Sequence, residues 1–476
     1  MDAPRLRILA LDLFERDVVL RLPFRFGVVT LTACPQAFVR ARIAIGDGRE
    51  AIGHSAELLA PKWFDKDLAL SNDDNFVQLR TSLRSARDAY LADSRPRAAF
   101  AHAAAHYQSH IDECGRRGLN PLLACFGTAL IDRALLDALC RALGVSFYAA
   151  IRHNLAGIDA GLTPDLADID LDAFLGSLAA TTRVDLRHTV GLVDAITAAD
   201  LARRVDDGLP ETLEEVLAVY GNRCFKLKVR GQPDADIERL TRIATLLDRL
   251  PEYVVTLDGN EQFADAEAAA RFWQRLERVP ALRRMAAATI YIEQPLPRAI
   301  TLETDIGTLA RSKPVLIDEA DGTLDAFPAA IARGYTGVSS KNCKGCYKSV
   351  LNAARCARLN HGGGNRYFMS AEDLTTQAGL GVQQDLALCN ALGMTHVERN
   401  GHHYVRGFAG QGASVREQQD FLRAHPDLYT RCGDDVVLRV HSGRLDLGSL
   451  DTPGFASGAA PDPATLLPLA PHVSTA

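Results

Sequence analysis

The run CFKLKVR at residues 224–230 places Lys226 and Lys228 two positions apart among apolar neighbours. Residues two apart in a β-strand point to the same side, so the two lysines project together. Further short apolar runs follow along the chain, and each ends in a charged residue: Asp258 in VVTLDGN, Glu293 in TIYIEQP, Asp318 in PVLIDEA and Lys341 in GVSSKNC. From Lys228 onward the intervals are 30, 35, 25 and 23 residues, about the length of one strand plus one helix.

Eight strand-like runs lie between residues 183 and 400, with amphipathic segments such as 234–250 and 264–278 between most of them. They are VDLRHTV, CFKLKVR, YVVTLDG, TIYIEQP, PVLIDEA, TGVSSKN, NRYFMSA and MTHVERN. Strand and helix alternating eight times predicts a (β/α)₈ barrel over residues 183–400. In a closed parallel barrel, residues at the strand ends converge on one face, where catalytic groups lie. We therefore expect the lysines and carboxylates to share one site.

The residues before the barrel change from strand-like to helix-rich, which predicts an α+β domain over residues 1–150. Within it, LPFRFGVVTLTACPQ (22–36) is interpreted as a loop, and Gly46-Asp47-Gly48 as the turn of a hairpin. The clearest helix is predicted near 127–143, because apolar residues recur there at three- and four-residue spacing.

The residues after the barrel form two stretches of different character. Residues 401–455 are loop-rich, with one helix expected near 415–424 and one strand near 434–440. Residues 456–476 are rich in alanine and proline and are predicted to be a flexible tail.

The overall composition is that of a globular protein and excludes several functional classes. Of 476 residues, 47% are hydrophobic and 24% are charged. A net charge of −6 argues against a nucleic-acid partner. No apolar run reaches the roughly 18 residues of a membrane span, and charges interrupt the N-terminal apolar stretch, so we expect neither a membrane partner nor a secretory signal. Ten scattered cysteines fit reduced thiols and a cytoplasmic location.

A single Cys-x-x-Cys pair, Cys343 and Cys346, directly follows Lys341. A zinc or redox site would be better supported by a second such pair or by histidines at ligand spacing, and the sequence has neither. The pair is therefore interpreted as two small residues beside a site lysine, and its role stays open.

Two lysines projecting together into a barrel lumen have a chemical consequence. Neighbouring ammonium groups disfavour each other's charge, which lowers the pKa of at least one of them. A lysine tuned in this way acts as a general base near neutral pH. Lys341, on the sixth strand, is predicted to lie across the barrel from Lys228, so that one lysine removes a proton and the other delivers one.

The three carboxylates Asp258, Glu293 and Asp318 are expected on adjacent strand ends, where they would repel one another unless a cation lies between them. Oxygen ligands in this number suit Mg²⁺. Asn260 is expected to support the ligands by hydrogen bonding, and Glu319 to lie just outside them.

These motifs together resemble the enolase superfamily, specifically the muconate lactonizing enzyme-like branch of the mandelate racemase/muconate lactonizing enzyme family. ALLDALCRALG (134–144) is similar to the helix that precedes the barrel in that family, and SGRLDLGSLDTPGF (442–455) to the segment that rejoins the cap. The pattern also departs from the family. Gly345-Cys346-Tyr347 replaces its double glycine, and the seventh strand lacks the histidine of the mandelate racemase-like branch. The residues that match its second to sixth strands are Lys226, Lys228, Asp258, Glu293, Asp318 and Lys341.

The resemblance implies a (β/α)₈ TIM-like barrel, with a capping domain built from the N-terminal part and the C-terminal segment. It implies a Mg²⁺-dependent enzyme, with Mn²⁺ as a substitute, in which Lys228 and Lys341 act as base and acid and Lys226 assists. The proton α to the carboxylate of a small-molecule substrate would leave through a metal-stabilised enediolate. A homo-oligomer is also implied.

The reaction is predicted to be a racemisation, epimerisation or cycloisomerisation. Dehydration of a hydroxy acid, such as an acid sugar, is an alternative within the same superfamily. A barrel kept as a non-catalytic binding protein is an alternative outside it. His188, Ser370 and Glu398 are further candidates for substrate contact, because each lies near the end of a predicted barrel strand. The identity of the substrate stays open.

Overall fold

The computed structural model describes residues 3–471. Its strands are β1 (Leu6–Phe26), β2 (Val29–Ile45), β3 (Glu50–Leu58), β4 (Arg183–Val190), β5 (Cys224–Lys228), β6 (Val254–Asp258), β7 (Thr289–Glu293), β8 (Val315–Ile317), β9 (Gly337–Ser340), β10 (Phe368–Ala371), β11 (His396–Arg399), β12 (Tyr429–Cys432), β13 (Asp435–Leu438), β14 (Arg444–Asp446) and β15 (Leu467–Pro468).

The α-helices alternate with the barrel strands and also cover the first sheet. None of those in residues 3–471 has both the length and the apolar character needed to cross a bilayer. They are α1 (Asn72–Ala92), α2 (Ala99–Arg116), α3 (Pro121–Leu143), α4 (Phe147–Arg152), α5 (Leu171–Ser177), α6 (Leu213–Tyr220), α7 (Pro233–Leu247), α8 (Ala266–Arg278), α9 (Arg283–Ala288), α10 (Arg298–Thr301), α11 (Gly307–Ala310), α12 (Ala326–Ile331), α13 (Cys346–Leu359), α14 (Leu380–Ala391), α15 (Gly401–Tyr404) and α16 (Val415–Ala424).

The N-terminal strands β1, β2 and β3 form an antiparallel sheet. β1 and β2 pair along most of their length and turn at Gly27, whose φ is +48°. The interpretation of residues 22–36 as a loop is therefore wrong. Both arms are strands, and alternate residues such as Phe24 and Phe26 are buried, which is the pattern of a half-buried strand.

Helix α3 packs across this sheet and confirms the helix predicted near 127–143. Asn120 caps its start by accepting a hydrogen bond from the Leu123 amide, and Gly144 ends it in the left-handed conformation. The sheet and α3 approach closely at Gly53 of β3. A Cβ atom there would lie 2.2 Å from a backbone oxygen of α3 and 2.2 Å from a backbone nitrogen, so only glycine allows this packing.

Replacing Gly53 with alanine is therefore expected to lower the free energy of unfolding by about 2–3 kcal/mol, because the sheet and α3 must move apart. The matched control is Gly46→Ala in the nearby turn, where an added Cβ meets nothing within 4 Å. Urea denaturation of both variants checks the prediction. Equal losses in the two variants would contradict the close packing.

The barrel is closed. Its eight strands β4 to β11 run parallel in chain order, and β11 pairs with β4. All eight predicted runs form these strands, which confirms the predicted fold class of a (β/α)₈ barrel with an α+β cap. Lys228 pairs with Asp258, and Asp258 pairs with Glu293, across neighbouring strands. The charged strand ends therefore lie level at the carboxyl end of the barrel.

The connection from β4 to α6 is long and is attached to the cap. Arg21 of β1 pairs with Asp207 of this connection, at 2.7 Å between Nη2 and Oδ1. The same guanidinium donates to the carbonyl oxygens of Leu209, Pro210 and His403. One side chain thus joins the cap, the first strand–helix connection and the segment after the barrel.

The C-terminal segment returns along the molecule. β14 pairs antiparallel with β4, and Phe455 stacks on Phe147 of α4 with ring centroids 3.9 Å apart. Residues 456–471 do not form the predicted flexible tail, because Leu467 and Pro468 pair with β1 at the edge of the cap sheet. Residues 472–476 of the predicted tail lie outside the described residues.

Candidate active site

The lysines and carboxylates predicted at the strand ends are buried together in the barrel lumen. Lys226, Asp258, Glu293 and Asp318 are at most 1% exposed, and Lys341 is 3% exposed. Strand alternation explains this arrangement, since Phe225 and Leu227 face the apolar layer between the strands and the helices. The sequence therefore places charge on one side of β5 and hydrophobic packing on the other.

Lys226 lies inside a cage of four carboxylates. Its Nζ is 2.9 Å from Asp258 Oδ2, 2.8 Å from Glu293 Oε2, 2.7 Å from Glu372 Oε2 and 2.9 Å from Glu398 Oε2. We call these four groups the carboxylate cage. Burial alone would lower the pKa of Lys226, but the surrounding carboxylates raise that pKa well above its usual value. The expected tuning of the lysine pair toward neutrality is therefore wrong for Lys226, which stays an ammonium ion.

The other two lysines each contact one aspartate. Lys228 Nζ is 2.5 Å from Asp258 Oδ2, and Lys341 Nζ is 2.5 Å from Asp318 Oδ2. Burial alone would lower the pKa of Lys341, but Asp318 raises it above its usual value. Lys228 comes from β5 and Lys341 follows β9, so the two amines approach the carboxylates from opposite sides, as predicted.

The carboxylates differ in how well they are neutralised. Burial opposes ionisation of Asp318, yet Lys341 and Lys344 hold its pKa well below its usual value. Glu293 behaves in the opposite way. Burial and the neighbouring Asp258 and Glu372 raise its pKa well above its usual value, despite the contact with Lys226. The positive charge of the lysines therefore does not fully compensate the negative charge of the carboxylates around Glu293.

The buried carboxylate and amide oxygens of this site are the groups that could bind a metal ion. Within residues 3–471, no group of three histidine, cysteine, aspartate or glutamate side chains is arranged so that it could hold a metal ion. Each of the three predicted metal ligands contacts a lysine instead. Asp258 and Glu293 nevertheless converge on one cationic atom, Lys226 Nζ. Two buried acceptors beside them, Asn260 Oδ1 and Glu319 Oε2, have no partner among the described residues. An all-oxygen donor set of this kind fits Mg²⁺.

Solved structures provide an independent comparison with this fold. A member of the enolase superfamily from Roseovarius nubinhibens ISM is 18% identical, with 97% of each chain covered and a TM-score of 0.56. A mandelate racemase/muconate lactonizing enzyme from the same organism is 16% identical, with 97% of each chain covered and a TM-score of 0.54. A dipeptide epimerase from Enterococcus faecalis V583, complexed with Mg and the dipeptide L-Leu-L-Tyr, is 13% identical, covering 94% of this chain and 99% of its own, with a TM-score of 0.60.

The fold is that of the enolase superfamily. No family model matches the chain, and no curated protein matches it either. The resemblance predicted from the motifs is thus confirmed at the level of the fold, over almost the whole length of the chain.

Two further predicted residues lie next to the candidate metal ligands of this barrel. The backbone N–H of Asn260 donates to Asp258 Oδ1 at 2.8 Å, and the side-chain Nδ2 of Asn260 donates to Glu319 Oε1 at 3.1 Å. Burial raises the pKa of Glu319. Asn260 therefore joins Asp258 to Glu319, the residue that follows Asp318 in the chain.

Ser370 and Glu398 also face the lumen. Glu398 belongs to the carboxylate cage and accepts a hydrogen bond from Thr189. Ser370 lies lower in the barrel, where Arg187 Nη1 donates to its hydroxyl at 3.2 Å. Arg187 also pairs with Glu372 at 2.5 Å. Arg187 and Thr189 lie two apart on β4, the first barrel strand. The alternation that identified the lysines could therefore also have predicted these two lumen residues.

His188, by contrast, is not brought to the lysines. It lies between Arg187 and Thr189, which face the lumen, so its side chain points outward. Its ring packs edge-on against His403 at 4.9 Å and lies 6.1 Å from the ring of His402. Burial lowers the pKa of His188 to about 3, so the imidazole is neutral in the folded protein at neutral pH.

Acid is expected to destabilise the fold through His188. Its pKa is about 6.5 in an unfolded chain, so between pH 6.5 and 3 the unfolded state binds more protons. The stabilising contribution is therefore complete above pH 6.5 and is lost as the pH falls. We expect His188→Gln to reduce the loss of unfolding free energy between pH 7 and 5 by about 2 kcal/mol. Urea denaturation at both pH values, with exposed His361→Gln as the control, measures this; identical losses in the two variants would disprove it.

Sequence reasoning missed the cap residues between β3 and α1 that reach the site. Lys66, in the connection between β3 and α1, donates to the Asn260 carbonyl at 2.6 Å and pairs with Glu261 at 2.6 Å. Trp63, from the same connection, lies over Lys341. The motif APKWFDK carries no periodic signal, and these contacts join residues far apart in the chain.

Proposed function

We propose that this protein is a divalent-cation-dependent enzyme that removes the proton α to a carboxylate, as a racemase, epimerase or cycloisomerase. One observation carries the proposal: Lys228 and Lys341 reach Asp258 and Asp318 from opposite sides of a buried carboxylate group. A planar intermediate between two such amines accepts a proton on either face. Racemisation and epimerisation by two bases use this arrangement.

The three carboxylates Asp258, Glu293 and Asp318 would hold Mg²⁺. The bound ion would stabilise the negative charge that develops on the substrate carboxylate as the proton leaves. With Asp258 engaged as a ligand, Lys228 Nζ would lose the carboxylate that holds it as an ammonium ion; after releasing its proton to solvent, the neutral amine would take the substrate proton. Lys341 Nζ, beside Asp318, is placed to hold the proton that is delivered to the opposite face.

Lys226 has a different part in this proposal. Its Nζ is already enclosed by the carboxylate cage, so it does not serve as the base. It keeps the cage together and keeps positive charge beside the bound carboxylate substrate. Lys226 therefore assists without exchanging a proton with the substrate.

The metal is tested first, by calorimetric titration with MgCl₂ and then with MnCl₂. We expect one site, and we expect Glu293→Gln to weaken Mg²⁺ binding by at least about tenfold, since a charged ligand is lost. The matched control is Glu252→Gln, whose side chain is 80% exposed. Unchanged affinity in the Glu293 variant would reject the ligand assignment.

The reaction is tested by incubation in deuterated water with Mg²⁺ and a panel of acid sugars, amino acids and dipeptides. Deuterium at the α-carbon with no change of composition supports racemisation or epimerisation, and an isomeric ring product supports cycloisomerisation. Release of a keto acid would indicate dehydration instead. Mg²⁺ binding without exchange on any member of the panel would favour a non-catalytic binding protein.

A further inference from the structure

Trp63 is an aromatic side chain in contact with Lys341, one of the two predicted acid–base lysines. Its ring centroid lies 4.3 Å from Lys341 Nζ, and its side chain is 2% exposed. The ammonium group therefore has two neighbours of different kinds, the carboxylate of Asp318 and the indole face. A cation over an indole face is attracted to it, more strongly where water is excluded.

The backbone of Trp63 is held firmly by the barrel. Arg298 donates to the carbonyl oxygen of Trp63 at 2.7 Å and to that of Phe64 at 2.8 Å. The same guanidinium forms two hydrogen bonds with Glu261, at 2.9 and 2.8 Å. Phe64 packs edge-on against the indole, with ring centroids 4.8 Å apart. The position of the ring is thus fixed from the side of the fourth barrel strand.

The indole N–H of Trp63 does not hold the ring in place through a hydrogen bond. Trp63 Nε1 has no hydrogen-bond partner among the described residues, although it is buried. Buried tryptophans usually find such a partner. The orientation of the ring is therefore set by packing and by Lys341, not by a hydrogen bond of its own.

We propose that Trp63 is a positioning residue for Lys341, and that its indole face keeps the Lys341 ammonium at the barrel mouth when Asp318 is engaged by a metal ion. The inference rests on the proposed function, because Asp318 cannot serve fully as a metal ligand and as the partner of Lys341 together. Without a second attraction, the flexible lysine side chain would lose its position when Asp318 turns to the ion. The indole supplies that attraction from the cap.

Fluorine NMR of the full-length protein labelled with 5-fluorotryptophan tests this directly. The chain has two tryptophans, Trp63 and Trp273, and Trp273→Phe assigns their two resonances. We expect Lys341→Met to shift the Trp63 resonance and to leave that of Trp273 in place. Lys313 lies 5.2 Å from the centroid of Trp273, so Lys313→Met is the matched control and should shift Trp273 alone.

The decisive measurement repeats the comparison with saturating MgCl₂. We expect the difference between the parent and Lys341→Met at the Trp63 resonance to persist when Mg²⁺ is bound. Its disappearance, with Mg²⁺ binding intact by calorimetry, would overturn the inference and leave the proposed function standing. Absence of calorimetric Mg²⁺ binding would reject the proposed function itself, and the role of Trp63 with it.

Substitutions of Trp63 add a kinetic measurement. Phenylalanine retains an aromatic face for Lys341, whereas leucine retains only bulk. In the deuterium exchange assay, we expect Trp63→Leu to slow exchange by about tenfold and Trp63→Phe by no more than about threefold. Equal rates in the two variants would show that the indole acts only as packing, and would contradict the proposal.

Discussion

Replacing Lys228 with alanine is expected to slow α-proton exchange on a true substrate by about a thousandfold or more. Lys228 Nζ is the amine that contacts Asp258 without being enclosed by the carboxylate cage, and a positioned general base contributes about 10²–10⁴-fold. The measurement is deuterium incorporation with saturating Mg²⁺, followed by NMR or mass spectrometry.

Two controls separate the loss of a base from the loss of the site. Lys228→Ala should keep the calorimetric affinity for Mg²⁺ within about tenfold, because no carboxylate is removed. Lys313→Ala, at a lysine outside the lumen that contacts Trp273, should leave exchange unchanged. Exchange by the Lys228 variant at the rate of the parent would eliminate Lys228 as the base.

Replacing Lys226 with methionine is expected to lower the free energy of unfolding by about 3–5 kcal/mol when no divalent ion is present. Removing one partner of a buried ion pair leaves uncompensated charge, and here four carboxylates lose their shared ammonium. Because a divalent ion would restore positive charge, Mg²⁺ should stabilise the variant more than it stabilises the parent. Urea denaturation with EDTA and with MgCl₂ gives both quantities.

The matched control for Lys226 is Lys313→Met, which removes a lysine bound to a single backbone carbonyl, that of Thr289. It should cost much less and should show no dependence on Mg²⁺. If Lys226→Met were as stable as the parent in EDTA, the carboxylate cage would not depend on this lysine, and its assisting role would have to be abandoned.

The barrel and the residues at its strand ends could be predicted from the sequence because their signals are local. Each of Lys228, Asp258, Glu293 and Asp318 follows a short apolar run, and strand order then fixes which strand ends are neighbours. Their convergence on one face follows from the closure of a parallel barrel. No distant contact had to be known in advance.

The carboxylate cage could not be predicted in the same way. Glu372 and Glu398 reach Lys226 across the lumen, and contacts of this kind depend on the tilt and stagger of the closed sheet. The expectation of a pKa lowered by a lysine pair considered Lys226 and Lys228 alone. Four carboxylates around one ammonium reverse that effect.

Two local patterns misled the interpretation of the cap. Pro23, Gly27 and Pro35 are residues typical of turns, yet they lie in or between the long strands β1 and β2, where the pairing of the two strands outweighs local propensity. The composition of residues 456–471 indicates little apolar packing, but the pairing of β15 with β1 uses backbone groups, which composition does not report.

The pairing of β15 with β1 joins the last described strand of the chain to the first. During synthesis, every barrel strand leaves the ribosome before residues 467–468 do, so the barrel is able to close while the edge of the N-terminal sheet still lacks its neighbour. The cap, which carries Trp63 and Lys66 to the lysines, is therefore completed only after residues 467–468 have been synthesised. A polypeptide that stops before residue 467 would hold the barrel under a cap sheet that lacks β15.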